Sequence, residues 1–78
     1  MEIIEIEVVP SSTVVGKTID DLDLPNGVMI PVISDKKGNA IAPDNNTIIS
    51  ENKRLLIICK TELTSKVDKI FSDRDDYF

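Results

Sequence analysis

The chain has 78 residues, a formal net charge of -5, one cysteine and no histidine. A chain this short forms one domain and buries only roughly 60–65% of its unfolded surface, which leaves it marginal alone. A single cysteine excludes an internal disulfide, and without histidine it excludes a structural zinc site. The acidic balance argues against a general binder of nucleic acid or anionic membrane, though not against a small anionic ligand held by a few local donors. Self-association is the stabilising device that remains. No apolar run approaches the ~20 residues that span a bilayer, and Met1-Glu2-Ile3 lacks the basic and apolar regions of a signal peptide. The expectation is a soluble, cytoplasmic domain with no direct membrane insertion. Met1 opens almost directly into a strand, which suits both a domain cut from a longer chain and a compact free-standing protein.

Glu2 to Val9 alternates, with Ile4, Ile6 and Val8 on one face and Ile3, Glu5, Glu7 and Val9 on the other. This pattern predicts a strand with a core face and a half-polar face. Pro10-Ser11-Ser12 ends it, because proline cannot donate to a ladder. Val14-Val15 beside Gly16 reads either as an apolar plug on a loop or as a contact between copies. Thr18 to Leu22 reads as a short helix, capped by Thr18 and with Asp20 and Asp21 in its first turn. Leu24-Pro25-Asn26-Gly27 then turns the chain.

Val28 to Ile33 is almost wholly apolar and predicts a strand covered on both faces. Asp35 to Asn39 is a polar turn with Gly38 late in the run. Ala40-Ile41-Ala42 is a short returning strand, stopped by Pro43-Asp44. Thr47-Ile48-Ile49 reads as a brief extended or 3₁₀ piece. Arg54 to Cys59 is apolar on both faces, which predicts a central strand. Thr61 is expected to cap a final helix whose stripe is Leu63, Val67, Ile70 and Phe71. Ser72 to Phe78, with Asp73, Asp75 and Asp76, reads as a frayed acidic tail. The predicted fold class is a small α+β domain, β-α-β-β-β-α, with a mixed or antiparallel four-stranded sheet and two helices. One domain spans 1–78, with an ordered core at about 3–71.

The order and punctuation resemble the TrkA-C domain, also called the RCK C-terminal domain, over roughly Ile3 to Phe71. The resemblance lies in the opening IIEIEVVPSSTVVGKTIDDLDLP, in the GVMIPVI strand with its turn and Ala-Ile-Ala-Pro return, and in NTIISENKRLLII near the end. It implies the cytoplasmic regulatory lobe of a potassium transporter or channel, or of a related cation transporter or antiporter. It implies a homodimer, serving a membrane transport subunit directly or through an upstream Rossmann lobe. It also implies, for some members, cyclic di-AMP held in the dimer cleft, and divalent cations as ligands of others. No G-x-G-x-x-G is present, so a dinucleotide site is not expected in this chain.

Carried over residue by residue, the ligand-facing stretch is Ile30, Pro31, Val32, Ile33, Ser34, Asp35 and Lys36, with Ala42 and Pro43 on the partner strand. Many members carry an arginine just after the apolar strand, where this chain has Ser34 and Asp35. An acid there repels phosphate, and Lys36 and Lys37 are the candidate compensating charges. The plainer reading is that Ile30, Val32 and Ile33 pack in the sheet or dimer core and that the lysines are solvated turn residues. Cys59 reads as a small buried apolar residue. Asp20, Asp21 and Asp23 read as helix-start charges, without the loop pattern of a calcium site. No nucleophile-base pair is legible, so catalysis is not expected. Two functions compete: a sensor of cyclic di-AMP, and a dimerisation module without a ligand. The dimer contact is expected on the hairpin strand, with Val14-Val15 as a further candidate, and Ile30→Glu is expected to split the dimer.

Overall fold

The computed structural model describes residues 1–71. Four strands form one sheet: β1 (Glu2–Glu7), β2 (Val28–Ser34), β3 (Ala40–Ile41) and β4 (Arg54–Cys59), in the spatial order β1-β4-β2-β3. Every pairing is antiparallel. β4 is central, as its two apolar faces predict. One helix, α1 (Thr64–Ile70), follows β4 through a 3₁₀ turn at Thr61–Leu63. The predicted small α+β order is therefore present, with the sheet wholly antiparallel.

The helix expected at Thr18 to Leu22 is a single 3₁₀ turn, Asp20–Leu22. Its start carries the chemistry predicted for it. The Asp21 amide donates to the Thr18 hydroxyl at 3.1 Å, and the Thr18 amide donates back to the Asp21 carboxylate at 3.1 Å. This is a reciprocal cap of the capping-box kind, with Asp in place of Glu. Asp23, in the left-handed region at φ 50°, closes the turn after three residues. Thr61 does not cap the last helix. Its hydroxyl donates instead to the Glu2 carboxylate at 3.2 Å, tying the helical turn to the first strand.

One face of the sheet looks inward. Leu55, Ile57 and Cys59 of β4 have no exposed surface, and they pack with Val8, Val14, Leu22, Ile30, Ile33, Ile49, Val67 and Phe71. α1 supplies Val67 to this core, and two loops supply most of the rest. Gly16 N–H donates to Ile49 C=O and Ile49 N–H to Lys17 C=O, both at 2.8 Å, so the Val14 loop and the Ile49 segment are stitched together. Thr18 and Ile48 form an isolated bridge there, which makes the Thr47 segment extended rather than helical. Val14 is 2% exposed and belongs to this chain's own core, with half-buried Val15 packed against it, which fits the plug reading.

β2 is not a plain alternating strand. Met29 pairs with Ile58 and Val32 with Leu56, so three steps on β2 match two on β4. This is a one-residue bulge at Ile30-Pro31. Pro31 sits where a missing amide costs no regular ladder bond. Ile30 is 8% exposed and packs into the inner core. Its packing is in this chain's own sheet core, rather than on an exposed face where Ile30→Glu would act on a contact alone. The acidic tail, Ser72 to Phe78, lies outside the described residues.

Candidate functional site

The hairpin between β2 and β3 is built around Asp35. Its Oδ1 accepts from the Lys37 and Asn39 amides, both at 2.9 Å, and its Oδ2 accepts from the Asn39 side-chain amide at 3.1 Å. The Asp35 amide donates to Asn39 C=O at 2.9 Å, and Gly38 takes φ 89° to close the turn. The donors of Asn39, side chain first and then backbone, hold the Asp35 carboxyl below its ordinary pKa. Asp35 is thus a turn-forming residue whose two oxygens face its own loop. The same mechanism, led by the Thr18 amide and hydroxyl, lowers Asp21.

The nine residues singled out from sequence do not form one site within a single chain. Ser34, Asp35 and Lys36 line a groove of ≈ 430 Å³ together with Glu7, Gly38, Asn52 and Arg54. Ile33, Ser34 and Asp35 also border a groove of ≈ 250 Å³ on the other side of the hairpin, with Asn39, Ile41, Thr47, Ile48, Ser50 and Lys53. Ile30 and Pro43 border a third groove of ≈ 380 Å³ near Ile19, Asp20, Asp23 and Asp44. Pro31 and Val32 are half-buried on β2, and Ala42 is exposed after β3. Ile30 and Ile33 are mainly core residues, each touching one of these grooves at its edge.

Arg54 is the residue that sequence reading missed. It is the first residue of β4 and pairs with Ser34 on one side and Glu7 on the other. An arginine therefore stands beside the position where the hairpin itself lacks one. It arrives from a strand twenty residues later, so no local spacing could reveal it. In the same groove Lys36 adds a second cation, while Glu7 and Asp35 add two acids. An arginine fork can take two phosphate or carboxylate oxygens at once, which a lysine cannot.

Among the described residues, no group of three or more acidic or cysteine side chains is gathered closely enough to hold a metal ion. No helix among them is long and apolar enough to cross a membrane.

Comparison with known proteins fits this architecture. Among solved structures, the chain superposes with a TM-score of 0.74 on the RCK_C domain dimer of S. agalactiae BusR in complex with c-di-AMP. That match covers 95% of this chain and all of that one, at 21% identity, and it shows a shared fold. BusR in complex with its busAB-promotor DNA matches at the same TM-score and 20% identity, with 38% of that chain covered. Among curated relatives, a Trk system potassium uptake protein TrkA homolog of Pyrococcus abyssi is 33% identical over 73 residues. One of Archaeoglobus fulgidus is 35% identical over 71 residues. These alignments cover 94% and 91% of this chain but only 32% and 16% of the relatives, so the chain spans a third or less of their length. The TrkA-C domain model matches residues 3–72, and the chain belongs to the TrkA-C domain family.

Proposed function

We propose that this domain is a cytoplasmic, non-catalytic regulatory lobe of a potassium or related cation transport system. It works as a homodimer and senses cyclic di-AMP in a cleft to which both copies contribute. The ligand's affinity for one dimer geometry then biases the transporter attached to it. Family membership supports the transport setting, because the curated relatives are Trk potassium uptake proteins. The ligand is suggested by the c-di-AMP complex of the related fold.

The observation that carries the reading is the groove at the hairpin base. Ser34 and Lys36 of the expected ligand stretch face Arg54 across it, so a phosphate has a cationic partner despite the missing hairpin arginine. The groove is open in one copy, and a second copy would wall it in, as small-ligand sites require. Ile30, Pro31 and Val32 then serve mainly to set the strand, and Ala42 and Pro43 stand outside this groove within one copy.

A second reading keeps the dimer and drops the ligand, in a non-potassium transporter or antiporter. The Asp35 carboxylate favours it, since a fixed negative charge beside Lys36 offsets part of the attraction for phosphate. Titration calorimetry with cyclic di-AMP separates the two. Saturable heat supports the sensor. No heat up to several hundred micromolar ligand leaves the assembly module.

A further inference from the structure

β1 lies at one end of the sheet and pairs with β4, so among the described residues its other edge is free. Val8 N–H donates to Lys53 C=O at 2.8 Å. Alternation along an antiparallel ladder then turns the amides and carbonyls of Glu7, Glu5 and Ile3 outward, away from β4. Several usual guards of an open edge are missing here. The strand EIIEIE has no proline and no lysine, and its register with β4 runs unbroken from Glu2 to Glu7, without a bulge. A guarded edge also points a charge inward, whereas Ile4 and Ile6 stand at those positions. Both are only half-buried, although their ladder partners Ile57 and Leu55 have no exposed surface. The inner layer therefore stops one strand short of full cover.

The guard that remains is negative charge, from Glu5 and Glu7 on the outer face beside Ile3, which is 69% exposed. A guard of one sign repels its own kind and admits the opposite one. We propose that the β1 edge takes an extended segment of a partner protein as a fifth strand, antiparallel to β1. Lys or Arg of that segment faces Glu5 and Glu7, and apolar residues face Ile3, Ile4 and Ile6. β4 already makes this match on the other side of β1, with Arg54 across from Glu7, Leu55 across from Ile6 and Ile57 across from Ile4. The inference rests on neither the ligand nor the dimer of the reading above.

The charges select a basic partner over the other occupants. A self-paired β1 centred on Glu5 sets that glutamate against its own copy, and one centred on Ile6 sets Glu5 against Glu7 twice. Like charges directly opposite destabilise a ladder. Centred on Ile4, each Glu5 falls across from Ile3 and meets no charge. Residues 72–78 carry Asp73, Asp75 and Asp76, which match the glutamates in sign. The opposite edge of the sheet, β3, has two residues and offers too little backbone for the same role.

The test titrates the isotope-labelled 78-residue chain with two peptides, followed by NMR. One is acetyl-Arg-Val-Lys-Val-Ile-Thr-amide, and the other is its acidic counterpart acetyl-Glu-Val-Glu-Val-Ile-Thr-amide. The expected result is saturable binding of the basic peptide, at least about tenfold tighter than the acidic one and weakened by salt. Amide exchange should slow at Ile3, Glu5 and Glu7, the three outward amides. In Glu5→Lys, with circular dichroism unchanged, the preference between the peptides should fall by about tenfold or reverse. Equal affinity for the two peptides, no saturation by the basic peptide up to about 1 mM, or protection confined to other amides overturns the inference. Exchange at the three amides that slows with protein concentration alone assigns the edge to a second copy and also overturns it. Should Glu5→Lys lose its fold, the comparison of the two peptides on the wild type still decides.

Discussion

Ser34 on β2 stands directly across from Arg54 on β4. The pair puts a guanidinium next to a hairpin that carries lysines but no arginine of its own. If an anionic ligand uses the groove, Arg54→Ala should weaken cyclic di-AMP binding by about tenfold or more, since a lost charged hydrogen bond is worth roughly 1.5–3 kcal/mol. Arg54→Lys should recover only part of it, because a point charge replaces a fork. Calorimetry of the three proteins, with the dimer constant measured alongside, checks this; equal affinities would remove Arg54 from the site.

Asp35 predicts an acid-limb effect. Its carboxyl is held low by the Asn39 and Lys37 donors, so the folded state favours the charged form. The stability it contributes is therefore present above the ordinary carboxylate value of about 3.9 and is lost as pH falls through the lower folded value. Asp21 acts in the same direction through Thr18. Both carboxylates are solvent-facing, so the slope should be shallow. Urea midpoints measured from pH 5.5 down to 2.5 should fall less steeply in Asp35→Asn than in the wild type. Parallel curves would mean that the turn bonds carry no net proton linkage.

Gly27 is held by both its conformation and its surroundings. It has φ 97°, and a Cβ there would meet Lys60 Cδ at 3.0 Å and Leu63 Cδ1 at 3.1 Å. Lys60 N–H also donates to Gly27 C=O at 3.1 Å, so the glycine joins the entry of β2 to the exit of β4. Gly27→Ala should destabilise by more than about 1 kcal/mol. Gly38→Ala, at φ 89° but with open space around it, should cost less. Thermal denaturation of the two variants tests the order, and a reversed order would contradict the packing argument.

Ile57 and Leu55 have no exposed surface, whereas Ile58 between them and the chain end is half-buried on the opposite face. Ile57→Ala should cost roughly 2–5 kcal/mol by leaving a cavity. In a domain this small that loss approaches the whole stability, so chemical denaturation should find it partly unfolded at 25 °C. A loss under 1 kcal/mol would show that the inner layer collapses easily.

The succession of elements along the chain and the central place of β4 were legible because long β-branched runs with few charges have few alternatives. The sheet's bulge was not. Nothing in VMIPVIS marks where the alternation slips, except Pro31, and proline alone marks an edge or an irregularity without saying which. The reading of a run apolar on both faces put Ile30 at a contact between copies, whereas it lies on the inner face two residues after Val28, and the slip re-phases only the residues that follow. The first helix shrank to one turn because Asp23 adopts a left-handed conformation, which side-chain type alone does not dictate. Arg54 escaped notice for a topological reason: β4 lies between β1 and β2, and that order is invisible to local spacing. The Asp35 turn, by contrast, could be read from Asp-Lys-Lys-Gly-Asn as a turn, though not that its carboxylate would be occupied by its own loop.

The surplus residue at Ile30-Pro31 acts as a phase shifter for everything downstream on that strand. Because of it, Ile33 points inward and Ser34 emerges beside Arg54. Removing one residue there would turn the hairpin's polar end into the hydrocarbon layer and push an isoleucine into water. A single-residue deletion or insertion in this strand should therefore be more damaging than a substitution of any one of its side chains, because it inverts every face downstream at once.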